Sequence, residues 1–247
     1  MPVVGLGTWD LRGRACFEAV QAALQLGYRH IDTAEMYANE EEIGRAIARS
    51  GIARKELFIT TKVWTDHHRA PDFKKAVEGS LKRLGTQTLD LLLIHWPNPA
   101  VPMAETIGAL CQAAKEGKAR AVGVSNFSVT QMKEALSFAS VPLACNQVPY
   151  SLPENRDDIL EFARSKGVSI CAYSPLGRGK FLERGELKEI AQKHGKTPAQ
   201  VALNWLIRQK GVAAIPKAAG EGHLRENLDL FDFELSPEDL RRLELLR

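Results

Sequence analysis

The chain has 247 residues, of which 45% are hydrophobic and 26% charged, ordinary for a water-facing globular protein and enough for one large domain over residues 1–247. Its formal charge of +3 is too weak to argue for nucleic acid, so no nucleic-acid partner is expected. No apolar run approaches the ~20 residues of a membrane span, and residues 1–4 lack the basic start and apolar core of a secretory leader. A cytoplasmic protein with no membrane partner is expected.

In chain order, residues 3–8 (V-V-G-L-G-T) form a short apolar run with two glycines and read as a strand. Residues 15–26 have helical spacing, with Phe17, Val20, Ala23 and Leu24 on one side, and Gly27 stops them. Residues 28–33 read as the second strand, 40–49 as a helix and 57–63, rich in β-branched residues, as the third strand. Residues 72–84 form a helix with Phe73, Val77, Leu81 and Leu84 on one face. The nearly unbroken apolar run 89–95 is what a parallel strand covered on both sides looks like.

The alternation continues: helices at 103–115, 129–138 and 156–165, strands at 119–125, 143–148 and 168–174. Two helical stretches follow, 186–194 and 198–209. The second has Thr197 as N-cap, Pro198 at its first turn and Gln200 at the third position. Residues 212–215 are the last strand, and helices at 224–230 and 237–246, the latter capped by Ser236, close the chain. Eight strands, the first seven each followed by a helix, predict parallel βα units and a (β/α)8 TIM barrel. A doubly wound open sheet is the alternative, and no G-x-G-x-x-G follows any strand. Cys16, Cys111, Cys145 and Cys171 form no C-x-x-C pair and sit among apolar neighbours, as reduced core thiols do.

In such a barrel the carboxyl ends of the strands build the active site. Those ends carry Asp32, Lys62, His95, Ser125-Asn126, Asn146-Gln147, Tyr173-Ser174 and Lys217. Core packing does not need this recurrence, although singly Asp32 could cap a loop, Lys62 could be a solvated strand end and His95 a satisfied core residue. Asp32 with Tyr37 five residues on makes a carboxylate–phenol pair that needs a cation, because an unpaired buried carboxylate is costly. His67-His68 reads as a solvated loop. It lacks carboxylate or cysteine partners at ligand spacing, so no metal is expected.

The segments I-D-T-A-E-M-Y, T-T-K-V-W, L-I-H-W-P, G-V-S-N-F, A-Y-S-P-L-G and I-P-K fall at successive strands. Together they resemble the aldo-keto reductases over almost the whole chain, and most the bacterial 2,5-diketo-D-gluconate reductase-like branch. The resemblance implies a reductase of a small-molecule carbonyl with Asp32, Tyr37, Lys62 and His95 as catalytic residues. Tyr37 would be the general acid, its pKa lowered by Lys62, and Asp32 would hold Lys62 charged. His95 would orient the substrate oxygen.

It also implies NADPH as cofactor, with NADH possible as a second donor. Ser125, Asn126 and Gln147 would bond its carboxamide, Tyr173 would stack on the nicotinamide, and the turn of Ser174, Pro175, Leu176 and Gly177 would line the pyrophosphate. Lys217 and His223 would meet the 2′-phosphate, Glu226 and Asn227 the adenine, and Thr8, Trp9, Asp32 and Ile215 complete the cofactor contacts. Trp9, Trp64 and Trp96 would wall the substrate pocket beside Tyr37 and His95.

Three departures from the family pattern shape the expectations. The chain opens on Pro2-Val3-Val4-Gly5, with the family's N-terminal hairpin absent or very short. It stops at Arg247, with the C-terminal loop absent or short, and residues 97–102 are a short version of another loop, so an open, broad-specificity pocket is expected. His223 and Ala218 stand where an arginine and a serine are common, and an imidazole is a weaker phosphate partner than a guanidinium, so discrimination against NADH should be modest. A monomer is the default. The rival readings are a Schiff-base aldolase using Lys62 and a cofactor-binding regulatory module of the same fold.

Overall fold

Apolar runs become strands and amphipathic stretches become helices, in alternation along the chain. The computed structural model describes residues 1–154 and 156–246; Asn155 and Arg247, within the expected domain span, lie outside the described residues. The strands are β1 (Leu6–Gly7), β2 (His30–Asp32), β3 (Phe58–Val63), β4 (Leu89–Ile94), β5 (Ala119–Ser125), β6 (Leu143–Pro149), β7 (Ser169–Tyr173) and β8 (Val212–Ala214). Helices α1 (Gly13–Leu26), α2 (Glu40–Arg49), α3 (Ala70–Leu84), α4 (Met103–Lys115), α5 (Val129–Phe138) and α6 (Asp157–Ser165) each separate two of the first seven strands. α7 (Gly185–His194) and α8 (Pro198–Ile207) lie between β7 and β8, and α9 (Glu221–Leu228) and α10 (Pro237–Glu244) follow β8.

Neighbouring strands pair in parallel in the order β1 to β8. The last strand returns to the first. Val4 bridges Ala214, the Gly5 amide donates to the Ala214 carbonyl at 2.9 Å, and the Gly7 amide donates to the Pro216 carbonyl at 3.1 Å. A Cβ on Gly7 would lie 2.6 Å from the Ile215 carbonyl oxygen, so only glycine lets the chain close here. The fold is a (β/α)8 barrel. Its first strand is shorter than the apolar run 3–8, because it meets β8 through one bridge and separate bonds rather than a continuous ladder.

Strand side chains alternate, and the core divides accordingly. Leu91 and Leu93 of β4 point into the barrel and pack with Cys145, Cys171 and Ile215. Leu92 and Ile94 point outward, into the larger core under the helices. Register carries the inward face around the sheet: Lys62 pairs with Leu93, Asp32 with Thr60, Ser125 with Gln147 and Gln147 with Cys171. The polar residues therefore continue the inner layer toward the carboxyl ends. All four cysteines are free and buried, as their apolar settings imply.

The expected starts of the last helices are present. Thr197 and Gln200 form a reciprocal capping box on α8, and Ser236 caps α10. Short 3₁₀ turns at Glu35–Tyr37, Arg54–Glu56, Thr65–His67 and Gly177–Glu183 have no counterpart in the periodicity. No described helix is long and apolar enough to cross a membrane.

Candidate active site

The carboxyl ends of the strands surround a cavity of about 760 Å³. Thr8, Trp9, Asp32, Tyr37, His95, Trp96, Ser125, Asn126, Gln147, Tyr173, Ser174, Pro175, Leu176, Ile215 and Lys217 line it, all singled out from the sequence. Gly7, Met36, Arg178 and Pro216 line it as well and were not anticipated. Lys62, Trp64, Gly177, His223, Glu226 and Asn227 are not part of the lining.

Lys62 is the cation that the carboxylate–phenol pair requires. Its Nζ donates to Asp32 Oδ1 at 2.5 Å, to the Thr33 carbonyl at 2.9 Å and to Tyr37 Oη at 3.4 Å. These partners use all three ammonium protons. Burial alone would depress the Lys62 ammonium, but Asp32 and then Tyr37 lift it above its ordinary value, so it stays charged. The other Asp32 oxygen, Oδ2, accepts from Gln147 Nε2 at 2.6 Å. Nothing in a sequence separation of 115 residues announces that bond. The Tyr37 phenol departs from the expectation of a lowered pKa. Burial raises it, and Lys62 opposes that rise without reversing it.

A second polar group fixes the loops that carry these residues. Buried Asn39 donates to the carbonyls of Thr8 and Leu11, both at 2.9 Å, and accepts from Thr33 Oγ1 at 2.7 Å. Thr8 Oγ1 donates to the Asp32 carbonyl at 2.9 Å. The loop after β1 and the turn holding Tyr37 are thus tied together. Ala38, next to Tyr37, adopts a left-handed backbone with φ 53°, a strained position of the kind that collects at functional sites.

His95 stands edge-on to Tyr37 and to Trp64, with ring centroids 5.5 and 5.1 Å apart. Burial, and then the positive charge of Lys62, pushes its pKa down to about 3, so the imidazole is neutral near pH 7 and carries one N–H. Its buried Nδ1 has no hydrogen-bond partner among the described residues. Trp64 therefore packs against His95 rather than walling the cavity. The neighbouring His67-His68 pair is only half as expected. His67 is exposed and pairs with Glu35, but His68 is buried and not a solvated loop residue, because its ring hydrogen-bonds the backbone of Val63 at the end of β3.

Next to this group the Ser125 hydroxyl, the Asn126 amide, the Gln147 backbone carbonyl and the Tyr173 hydroxyl meet at the ends of β5, β6 and β7. Asn126 Nδ2 donates to the His95 carbonyl and to Ser125 Oγ, both at 3.0 Å. Its Oδ1 accepts from the Tyr173 hydroxyl at 2.8 Å, which fixes that ring beside the cavity. Ser125 Oγ donates to the Gln147 carbonyl at 2.9 Å. Asn126 has φ 65°, a left-handed conformation that asparagine tolerates better than most residues.

The outer rim is looser. Lys217 Nζ lies 3.9 Å from Asp10 Oδ2, with both side chains largely exposed. His223 and Glu226 pair at 3.0 Å on the surface of α9, and Glu226 also accepts from Thr197 Oγ1 at 2.5 Å. Asn227 is buried in the same helix. Arg178, in the loop after β7, forms no hydrogen bond or ion pair through its side chain among the described residues.

The model of the aldo/keto reductase family matches residues 3–247. Glyoxal reductase of Bacillus subtilis (strain 168) is 43% identical over 247 residues, spanning 100% of this chain and 89% of that protein. Methylglyoxal reductase DkgB of Salmonella typhi is 38% identical over 249 residues, spanning 100% of this chain and 93% of its own length. A solved structure assigned as a 2,5-diketo-D-gluconic acid reductase B superposes with a TM-score of 0.98 at 44% identity, covering 100% of this chain and 88% of that one. The chain belongs to the aldo/keto reductase family.

Proposed function

We propose that this chain reduces small aldehydes and ketones to alcohols with NADPH, dicarbonyls and keto-sugar acids being its substrate class. The observation that carries the reading is Lys62: a buried ammonium locked to Asp32 and 3.4 Å from the Tyr37 hydroxyl, which itself faces the cavity. The names of the relatives, glyoxal and methylglyoxal reductases, support the substrate class.

The cavity residues fit a nicotinamide dinucleotide. A cluster of side-chain amides and a hydroxyl at Ser125, Asn126 and Gln147 suits a carboxamide, and the Tyr173 ring, held by Asn126, offers a face for stacking. Thr8, Trp9, Asp32 and Ile215 wall the same space, and Ser174, Pro175, Leu176 and Gly177 form the turn beside it. Lys217 is the cation for a 2′-phosphate, with His223 as a weaker neighbour and Glu226 and Asn227 toward the adenine. When bound, the cofactor supplies the hydride that no side chain can.

The chain's own residues supply the proton and the orientation. His95 gives its single N–H to the carbonyl oxygen and holds it toward Tyr37. The proton passes from Tyr37 Oη to that oxygen, and the phenolate left behind is stabilised by the Lys62 ammonium. Asp32, kept in place by Lys62 and Gln147, keeps the ammonium at that position. A Schiff base at Lys62 would need a neutral amine, whereas Asp32 and Tyr37 hold the nitrogen charged. Trp9 and Trp96, 52% and 43% exposed at the cavity, support a broad substrate range. Loss of NADPH absorbance with a panel of aldehydes and dicarbonyls tests the reading. No turnover with any of them would reject it, and a clear preference for NADH in kcat/KM would reject the role given to Lys217.

A further inference from the structure

The loop after β7 is strained where it reaches the cavity. Ser174 has φ 47°, and Gly177, Arg178 and Gly179 follow with φ 53°, 58° and 85°. The turns are closed by bonds from the Gly177 amide to the Ser174 carbonyl at 2.9 Å and from the Gly179 amide to the Leu176 carbonyl at 2.7 Å. Glycine adopts such angles freely, but arginine does not. A side chain held this way at a cavity wall points to function.

The charges around the cavity single this residue out. Lys62 is consumed by Asp32, and Lys217 faces Asp10. Arg178 is an exposed guanidinium on the lining without an acidic partner among the described residues. An unneutralised cation in that position is arranged for an anion that comes from outside the chain.

Topology says which anion. If the dinucleotide lies as proposed above, its carboxamide is held at the ends of β5 and β6, its nicotinamide ring lies on Tyr173 at the end of β7, and its adenosine end reaches the segment after β8. The diphosphate that joins the two halves must then cross the loop between β7 and β8, where barrels commonly bind phosphate. Arg178 lies in that loop, five residues beyond Tyr173.

We propose that Arg178 is the principal cationic contact of the cofactor's diphosphate, an inference that rests on the dinucleotide reading. Because NADH and NADPH share the diphosphate, this contact raises affinity for both by a similar factor and leaves discrimination between them to the rim. At that rim the side chains offered to the 2′-phosphate, Lys217 and His223, already face Asp10 and Glu226.

The test is titration of NADPH and NADH separately into the unaltered protein and into Arg178→Gln, with the dissociation constant read from calorimetry or quenching of tryptophan fluorescence. Arg178→Lys serves as the partial rescue. The side chain is exposed, so the melting temperature should not move. The expected result is a rise of about tenfold or more in Kd for both dinucleotides, by a similar factor, with Arg178→Lys in between. Unchanged Kd values overturn the proposal. A loss confined to NADPH overturns it in favour of the 2′-phosphate, and an unchanged Kd with a raised KM for carboxylate-bearing carbonyls overturns it in favour of the substrate. Failure of the unaltered protein to bind either dinucleotide would instead reject the cofactor reading, and Arg178 with it.

Discussion

At the floor of the cavity the Lys62 and Asp32 side chains are 0% and 2% exposed and 2.5 Å apart, and Gln147 holds the second carboxylate oxygen. At the rim Lys217 and Asp10 are 46% and 69% exposed and 3.9 Å apart. Both are acid–base pairs, yet solvent makes them different objects. A buried pair that loses one member leaves an uncompensated charge, while a screened pair can open at little cost. The floor is therefore rigid and intolerant, suited to aligning a proton transfer. The rim is exchangeable, suited to opening for a large anionic ligand and to setting preference by small increments.

The comparison breaks most readily at Lys62. Lys62→Met leaves Asp32 buried without its cation, at an expected loss of about 3–5 kcal/mol in stability and nearly all turnover. Denaturant melts of Lys62→Met beside the unaltered chain check this. Equal stability would mean that Gln147 and the backbone alone satisfy the carboxylate.

Next is Tyr37→Phe, expected to cost roughly 10²- to 10⁴-fold in kcat with little change in melting temperature. Because burial raises the Tyr37 phenol, its acid form persists through neutral pH, so reduction by the unaltered chain should be level there and fall only as pH rises through that elevated pKa. A fall near pH 7 would assign the proton to another group. Gln147→Leu sharpens the same end. Removing the donor to Asp32 Oδ2 should destabilise by about 1–3 kcal/mol and lower kcat at saturating cofactor. A change confined to the cofactor's KM would restrict Gln147 to carboxamide binding.

The two regions also differ in how far they can be read without coordinates. Asp32 and His95 each follow a recognisable apolar run and Lys62 lies one residue before the end of a third strand, so the barrel pattern alone brings them to one end. Tyr37 was reachable through its spacing from Asp32. The partner of Asp32 on the far wall was not, because Gln147 meets it through barrel closure. Nor was Asn39, which reads as an ordinary helix-start residue but ties two loops together. At the rim, Arg178 was not singled out; the signal that could have found it is its place between two glycines, Gly177 and Gly179, in a turn already adjoining the cavity. The direction of the Tyr37 shift was also not legible, since it depends on how deeply burial outweighs Lys62.

The smallest expected effect lies farthest out. The His223 side chain is 81% exposed, with Nδ1 engaged by Glu226. An imidazole has two ring nitrogens, and here one is already committed, so little is left for a phosphate. A guanidinium has five donors, and can pair with Glu226 three residues on while turning free N–H groups toward a 2′-phosphate. His223→Arg should therefore raise the NADPH-to-NADH ratio of kcat/KM by roughly threefold to tenfold, leave kcat with NADPH unchanged and leave NADH kinetics untouched. Equal improvement with both cofactors would mean that residue 223 senses the diphosphate, as Arg178 is proposed to do, rather than the 2′-phosphate. No change with either would show that the start of α9 does not reach the ligand, leaving Lys217 alone to discriminate.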